Sequence, residues 1–257
     1  MLQVLQDIYI VSDARESVNS VFVTTGKGTV VIDTMRSPAD GELLQAHISA
    51  QTAKPTYLTI NSHHHPDHTF GNTAFSAPVI SSSRTRQLMA ERLPPIWKEF
   101  TGESTVLPLP NLTFDGEMQI HFSDKTLRII EVGGHAPGMS VVYIPERKAL
   151  FTSDLVFVGR FPFMGDATMT EWLRALAHLE TLDVEHVLPG HGKASGPEVI
   201  REQRLWLQSF CDRARELMSD LGDVDAVLDK MTHEFDIPDF RHDMLREVLP
   251  RIVAEKA

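Results

Sequence analysis

Thiol groups, long apolar runs and clustered basic residues are all scarce in this sequence. Its 257 residues include one cysteine, Cys211. A single cysteine cannot form an internal disulfide, and it excludes metal centres that need two or more thiolates. No apolar run approaches the ~18 residues that a membrane-spanning helix needs. The sequence therefore excludes a disulfide scaffold, an iron–sulfur protein and an integral membrane helix.

The charge balance is acidic, with a formal net charge of −11 at pH 7. This balance opposes non-specific binding to nucleic acid or to an anionic membrane, and no run of Lys and Arg offsets it. The first residues also lack the charged and long apolar regions of a secretory leader. We therefore expect a cytoplasmic protein with a small-molecule substrate and no nucleic-acid or membrane partner. A homodimer is left open.

The order of the predicted elements runs twice from strands to helices and then ends in helices. Gly, Pro and polar residues separate short β-type runs at 7–11, 20–24, 29–33, 56–60, 112–114, 117–122, 126–132, 140–144, 149–152 and 186–188. Apolar spacing predicts helices at 37–52, 82–92, 169–181 and 201–221, with two shorter ones after them. Residues 93–111 hold four prolines and are predicted to be irregular. We predict one domain over residues 1–196 and a helical extension over 197–257 packed on it.

Histidine is abundant, with 12 residues, and several of them are clustered. The motif His63-x-His65-x-Asp67-His68 directly follows a predicted apolar strand. Residues two apart in an extended chain point the same way, so His63 and His65 can share one metal ion. Pro66 ends the extended run, and Asp67 and His68 can then turn toward a second metal ion.

Three further candidate ligands each follow a predicted strand. They are His135, Asp154 and His191. Glycines adjoin His135 and His191 in the sequence. Glycine lets the backbone turn sharply and approach a ligand closely. Together with the first motif they supply five His and two Asp, which is enough for two metal ions. Imidazole suits zinc, iron and copper, and carboxylates add hard oxygen ligands.

These motifs, in this order, resemble the metallo-β-lactamase superfamily over roughly residues 7–195. The resemblance implies an α/β fold, namely an αββα sandwich with the metal site at its edge, here followed by the C-terminal helical extension. It implies two Zn²⁺ ions per chain, with iron or manganese as alternatives. The implied ligands are His63, His65 and His135 for metal one, Asp67, His68 and His191 for metal two, and Asp154 as the bridge.

The activity that this resemblance implies is hydrolysis. A hydroxide held between two zinc ions would attack an ester, thioester, lactone or lactam carbonyl, since bound zinc lowers the pKa of water to about 7. Asp67 would act as the catalytic residue that orients the nucleophile and passes a proton to the leaving group. Asp33 is the candidate for orienting a ligand imidazole, because the superfamily often has Asp at this position.

The substrate is narrowed by comparison with known branches of the superfamily. A ligand set bridged by Asp154 resembles the sets of glyoxalase II and the lactonases more than those of true metallo-β-lactamases, which generally lack an Asp at this position. Phe157 stands where acyl-homoserine lactonases carry Tyr, and the extension has no Tyr for contacting glutathione. Two alternatives stay open, namely an iron-dependent sulfur dioxygenase and a hydrolase of small phosphodiesters.

Four residues are candidates for substrate binding. Arg160 is interpreted either as the partner of a substrate carboxylate or as part of a surface salt bridge. Phe161, Phe163 and Trp97 either line an apolar cleft or pack in the core.

Overall fold

The first half of the chain builds one sheet and the helices beside it. The computed structural model describes residues 1–13, 17–102 and 106–255. The elements of this half are β1 (Leu2–Leu5), β2 (Ile8–Ser12), β3 (Asn19–Thr24), β4 (Thr29–Ile32), α1 (Pro38–Gln51), β5 (Thr56–Ile60), α2 (Pro66–Thr69), β6 (Val79–Ser82), α3 (Ser83–Thr101) and β7 (Leu112–Phe114). Over the described residues, the seven strands lie side by side in chain order. Pairing is antiparallel from β1 to β4 and parallel from β4 to β7.

The second half of the sandwich is a five-stranded sheet, counted over the same described residues. Its elements are β8 (Glu117–His121), β9 (Thr126–Glu131), β10 (Ser140–Ile144), β11 (Ala149–Phe157), α4 (Met169–Leu179) and β12 (His186–His191). The strand order is β12-β11-β10-β9-β8. Only the β11–β12 pair is parallel within this sheet as described, and α4 makes the crossover between them.

The chain ends in helices, as predicted for the extension. They are α5 (Glu198–Leu221), α6 (Val224–Glu234) and α7 (His242–Ala254), with a short 3₁₀ turn at Asp239–Arg241 before α7. Helix α5 packs on α4 and β11, and α6 and α7 pack on α5. A domain boundary after residue 196 stays a prediction. Among the described helices, none combines the length and the apolar character needed to cross a membrane.

Apolar side chains fill three layers. Between the sheets, Ile10 and Ile32 of the first sheet meet Phe151 of the second. Leu44 of α1 covers the outer face of the first sheet, and helices α4 to α7 cover the outer face of the second. Cys211 lies in this last core, where burial raises the pKa of its thiol to about 12. The layer order is therefore αββα, which confirms the predicted fold class.

Helix α3 is longer than the sequence predicted. It continues through Pro94 and Pro95, whereas we expected an irregular segment over 93–111. Proline opposes the helix interior because it lacks a backbone donor and clashes with the preceding turn. Here the burial of Trp97 on the apolar face of the helix outweighs that cost. Residues 103–105 of the expected segment lie outside the described residues.

Two candidate ligands lie within strands and not after them. Asp154 sits inside β11, which we expected to end at residue 152, and His191 is the last residue of β12. Pairing between these strands shifts register on both sides of Ser153, whose φ is 45°. This irregularity turns the Asp154 side chain toward the sheet edge without ending the strand.

Candidate metal centre

The first group of candidate ligands consists of three imidazoles and a carboxylate. His65 Nδ1 lies 3.0 Å from His63 Nε2 and 3.2 Å from His135 Nε2. Asp154 Oδ2 is 3.9 Å from His63 Nε2 and 3.6 Å from His135 Nε2. Four potential ligand atoms thus converge on one point, within 4.8 Å of one another. This spacing matches atoms that share one metal ion with bonds of about 2.0–2.2 Å.

The second group shares Asp154 with the first. Asp154 Oδ1 lies 3.2 Å from His68 Nε2, and Asp154 Oδ2 lies 3.1 Å from His191 Nε2. Asp67 Oδ2 is 3.8 Å from His68 Nε2 and 3.5 Å from His191 Nε2. The structure therefore brings all seven predicted side chains together, in two groups that meet at the Asp154 carboxylate.

The chain turns into this centre at the end of β5. His65 is extended, with φ −64° and ψ 145°, and it caps α2, which begins at Pro66. Asp67 and His68 lie within this one helical turn, where Asp67 Oδ2 is 3.8 Å from His68 Nε2. Proline suits this first helical position because its fixed φ is helical and its missing donor is not needed there.

Glycine is required where β12 passes the bridging carboxylate. A Cβ on Gly190 would lie 2.1 Å from Asp154 Oδ1. At Gly192 the φ of +99° is combined with a Cβ position only 2.1 Å from the Val158 carbonyl oxygen. Side chains at either position would displace the ligands, which explains why glycines adjoin His191.

Asp33 holds the His68 ring in place. Its Oδ2 lies 2.8 Å from His68 Nδ1. The backbone amide and the hydroxyl of Ser62 each donate to Asp33 at 2.7 Å. This carboxylate therefore fixes the ring with Nε2 facing Asp154. Sequence analysis named Asp33 as a candidate for orienting a ligand imidazole, without saying which one. The Ser62 hydroxyl also lies 3.0 Å from His63 Nδ1, so one serine links two candidate ligands.

Asp166 orients the His65 ring as Asp33 orients that of His68, and sequence analysis did not identify Asp166. Asp166 Oδ2 lies 2.9 Å from His65 Nε2 and 3.3 Å from His64 Nε2, while Arg92 donates to Oδ1 at 2.8 Å. Hydrogen bonds from His64 and His65 hold the Asp166 pKa below its usual range. No periodic pattern or motif marks this position, so only the folded chain connects it with His65. The His191 ring is held in a similar way, because its Nδ1 contacts the Ser17 carbonyl oxygen.

Burial and charge set the protonation of the ligands. Burial lowers the pKa of His63, and it lowers that of His135 to about 3. Burial opposes ionisation of Asp154, but His191 and His68 outweigh it and hold the Asp154 pKa well below its usual value. Neutral imidazole and ionised carboxylate are the forms that bind metal. His68 differs, because Asp154, Asp67 and Asp33 outweigh its burial and raise its pKa.

Two buried polar atoms in the second group lack hydrogen-bond partners among the described residues. They are His68 Nε2 and Asp154 Oδ1, which lie 3.2 Å apart but do not form a hydrogen bond with each other. An unpaired buried polar atom costs free energy, and metal coordination would satisfy both atoms at once. The donor chemistry and these unpaired atoms therefore fit a His/Asp metal-binding cluster.

A cavity of about 880 Å³ opens over the cluster. The exposed parts of Asp67, Asp154 and His191 form its floor. Its aromatic lining comes from the segment after Asp154 and from the C-terminal helices, namely Phe157, Phe161, Phe163, Trp206, Phe235 and Phe240. Of the four predicted substrate contacts, Arg160, Phe161 and Phe163 lie here.

The fourth predicted contact, Trp97, lies elsewhere. It is buried in a small core under α3, with its ring centroid 5.0 Å from that of Phe70. It is not among the described residues that line the cavity. The structure thus favours the packing interpretation for Trp97, because α3 extends far enough to carry this side chain into the core.

An αββα sandwich with a His/Asp cluster is the arrangement that sequence analysis expected from the resemblance to the metallo-β-lactamase superfamily. The family model for the metallo-beta-lactamase superfamily matches residues 14–191. The chain therefore belongs to this superfamily.

Individual relatives are distant. The chain is 28% identical over 188 residues to the 2,4-dinitroanisole O-demethylase subunit alpha of Nocardioides sp. (strain JS1661), a match that covers 70% of this chain and 54% of that protein. The chain thus spans about half the length of that relative. It is 23% identical over 186 residues to the metallo-beta-lactamase type 2 of Elizabethkingia meningoseptica, covering 69% and 70% of the two chains.

Solved structures share the fold. A metallo-beta-lactamase family protein from Thermus thermophilus superposes with a TM-score of 0.71 at 20% sequence identity. The superposition covers 97% of this chain and 93% of that chain, so it includes the C-terminal helices. At this identity the similarity concerns the fold alone.

Proposed function

We propose that this chain is a dinuclear zinc-dependent hydrolase that cleaves an ester, thioester, lactone or lactam. The observation that carries the proposal is the bridging position of Asp154. Its two oxygens lie within 3.2 Å of imidazole nitrogens from His68 and His191, and Oδ2 also faces the first group of ligands. A carboxylate shared in this way suits two ions held close together.

Each ion would have its own protein ligands besides the shared carboxylate. Bound zinc supplies an activated water near neutral pH and a Lewis acid for the carbonyl oxygen. The proposed ligand atoms are His63 Nε2, His65 Nδ1 and His135 Nε2 for one ion, and Asp67 Oδ2, His68 Nε2 and His191 Nε2 for the other, with Asp154 common to both.

Asp67 is the proposed proton carrier. Its side chain reaches the cavity, and it is more exposed than the other carboxylate of the cluster. Burial opposes its ionisation, but His68 outweighs this effect and lowers the Asp67 pKa. The carboxylate is therefore ionised at neutral pH, where it can accept a hydrogen bond from water and orient it. It can then take up the proton that the water loses and deliver that proton to the leaving group.

The aromatic lining indicates an apolar substrate body. Pockets of this kind exclude water and orient the substrate through a few polar groups. The relative from Nocardioides is named for demethylation of an aromatic ether. An aryl methyl ether therefore belongs in the substrate panel beside the acyl compounds.

Metal analysis and a substrate panel test this proposal together. The panel contains a thioester, a lactone, a β-lactam, an aryl ester, an aryl methyl ether and a phosphodiester, each incubated with zinc-loaded protein. We expect two zinc ions per chain and hydrolysis of one acyl class. Asp154→Ala should abolish hydrolysis, while Asp243→Ala, which removes a fully exposed carboxylate on α7, should retain it.

Three outcomes would contradict the proposal. One iron per chain with oxygen consumption would favour the sulfur dioxygenase. Cleavage of the phosphodiester alone would favour the other alternative. Acyl hydrolysis that survives Asp154→Ala would remove the bridging carboxylate from the mechanism.

A further inference from the structure

Three guanidinium groups line the cavity, and they differ in their partners. Arg36 Nε pairs with the Asp13 carboxylate at 3.0 Å. Arg160 donates to the Ser17 carbonyl at 3.4 Å. Among the described residues Arg241 has no ion pair, and its Nε is buried without a hydrogen-bond partner. A buried guanidinium N–H left without an acceptor is costly, so its presence in the cavity wall needs an explanation.

Aromatic rings hold Arg241 close to the metal-binding cluster. Its guanidinium carbon lies 5.4 Å from the centre of the Phe163 ring and 5.1 Å from that of Phe240. The Phe163 ring in turn contacts His65 and His135, with centroid distances of 5.4 and 6.1 Å. The Phe163 ring therefore lies between Arg241 and the first group of ligands. Stacking on aromatic rings suits Arg and limits the orientation of its planar donors.

Bound metal would leave Arg241 without a counter-ion among the residues that the structure describes. The carboxylates that stabilise its charge across the cavity are Asp67 and Asp154. Both are proposed metal ligands, so bound cations would neutralise them. Burial already lowers the Arg241 pKa, which means that the wall disfavours an isolated positive charge. An anionic group on a bound ligand would restore the balance.

We propose that Arg241 binds a carboxylate on the substrate, whose scissile carbonyl lies over the metal-binding cluster. This inference rests on the hydrolase function proposed above and names its substrate class, an acyl compound with an apolar body and a separate carboxylate. One planar guanidinium matches one planar carboxylate through paired hydrogen bonds. The substrate body would pack against Phe163 and Phe240.

Direct binding tests the inference without requiring turnover. The probes are phenylacetate and its uncharged analogue phenylacetamide, titrated calorimetrically into zinc-loaded protein. We expect Arg241→Gln to weaken phenylacetate binding by about 10- to 100-fold, as removal of a charged hydrogen-bond partner does. Phenylacetamide should bind weakly to all variants. The matched control is Arg246→Gln, which removes an exposed guanidinium on α7 that pairs with Asp225 and Asp243.

Two controls separate recognition from folding. Thermal melting of each variant shows whether the wall is intact, and Arg241→Lys should recover part of the phenylacetate affinity because it restores the charge. The inference is overturned if wild-type protein binds neither probe. It is also overturned if Arg241→Gln binds phenylacetate as the wild type does, which would mean that the carboxylate binds the metal.

A kinetic pair distinguishes failure of this inference from failure of the proposed function. The substrates are 4-carboxyphenyl acetate and 4-carbamoylphenyl acetate, which differ only in the remote group. Arg241→Gln should raise KM for the first about tenfold or more and leave the second unchanged. An equal loss on both would assign Arg241 a structural role and overturn the inference. If the wild type hydrolyses neither substrate but the binding contrast persists, the proposed hydrolysis fails and the carboxylate site stands.

Discussion

The cavity lies over the seven-residue His/Asp cluster, which is called the floor below. The wall of the cavity is the set Phe161, Phe163, Trp206, Phe235, Phe240 and Arg241. Floor side chains are held from behind by polar contacts, as Asp33 holds His68 and Asp166 holds His65. In the wall, Phe240 is 77% exposed, and the Nε of Arg241 is buried without a hydrogen-bond partner among the described residues. A fixed floor suits one coordination geometry, whereas a less constrained wall suits selection among substrates.

The two regions also come from different parts of the chain. The floor is built from β11, β12 and the segments that follow β5 and β9, between residues 63 and 191. Most of the wall comes from the extension, where α5 supplies Trp206 and the 3₁₀ turn before α7 supplies Arg241. We therefore expect floor variants to change metal content and kcat, and wall variants to change KM.

The largest expected effect is at the bridging carboxylate. Asp154→Ala removes a ligand from both groups, and we expect turnover to fall by about three orders of magnitude or more, equivalent to roughly 4 kcal/mol. Bound zinc per chain should fall with it, which mass spectrometry of the native protein measures. Asp243→Ala serves as the control, and full zinc content in Asp154→Ala would break the assignment of this carboxylate to the floor.

The next prediction tests whether Trp97 belongs to the core under α3 and not to the cavity wall. Trp97→Ala should lower the free energy of unfolding by about 3–5 kcal/mol, because it leaves a cavity in the core under α3. Denaturant unfolding measures this loss, and steady-state kinetics should show KM unchanged at a temperature where the variant is folded. A stable variant with raised KM would instead place Trp97 at the substrate.

A smaller effect, on metal affinity, is expected at Asp33, which contacts the His68 ring. Asp33→Asn keeps the shape of the side chain but weakens its contact with His68 Nδ1. Loss of such an orienting contact costs about 10- to 100-fold in metal affinity. Competition with a chromogenic chelator measures zinc affinity, with Asp243→Asn as the matched control. Unchanged affinity would mean that the His68 ring is held by other contacts.

The smallest effect is expected at the exposed edge of the wall. Phe240→Ala removes the ring beside Arg241, and a contact of this kind at an exposed site is worth about 0.5–1 kcal/mol. KM for a carboxylate substrate should rise about two- to fivefold, with kcat and zinc content unchanged. A fall in zinc content would show that wall and floor are coupled more closely than their contacts indicate.

Sequence analysis could predict the candidate metal ligands of the floor because they lie in short motifs. His63 and His65 are two residues apart, and Pro66 determines how the chain turns after them. The αββα order was implied by the resemblance that these motifs carry, and the predicted order of strands and helices agreed with it. Local patterns failed at α3, where tertiary burial of Trp97 overrides two prolines, and at β11, where the irregular residue Ser153 lets the strand pass through Asp154.

The sequence by itself determined the class of fold, the residues able to bind metal and the acidic, cysteine-poor character of the chain. These properties depend on residue type and on spacing within one element. Only the tertiary structure decided which guanidinium has no ion pair within the described part of the chain, because Arg36, Arg160 and Arg241 are equivalent until the fold places Asp13 and Ser17 beside two of them. The pairing of His65 with Asp166 was decided in the same way, because it joins residues 101 positions apart.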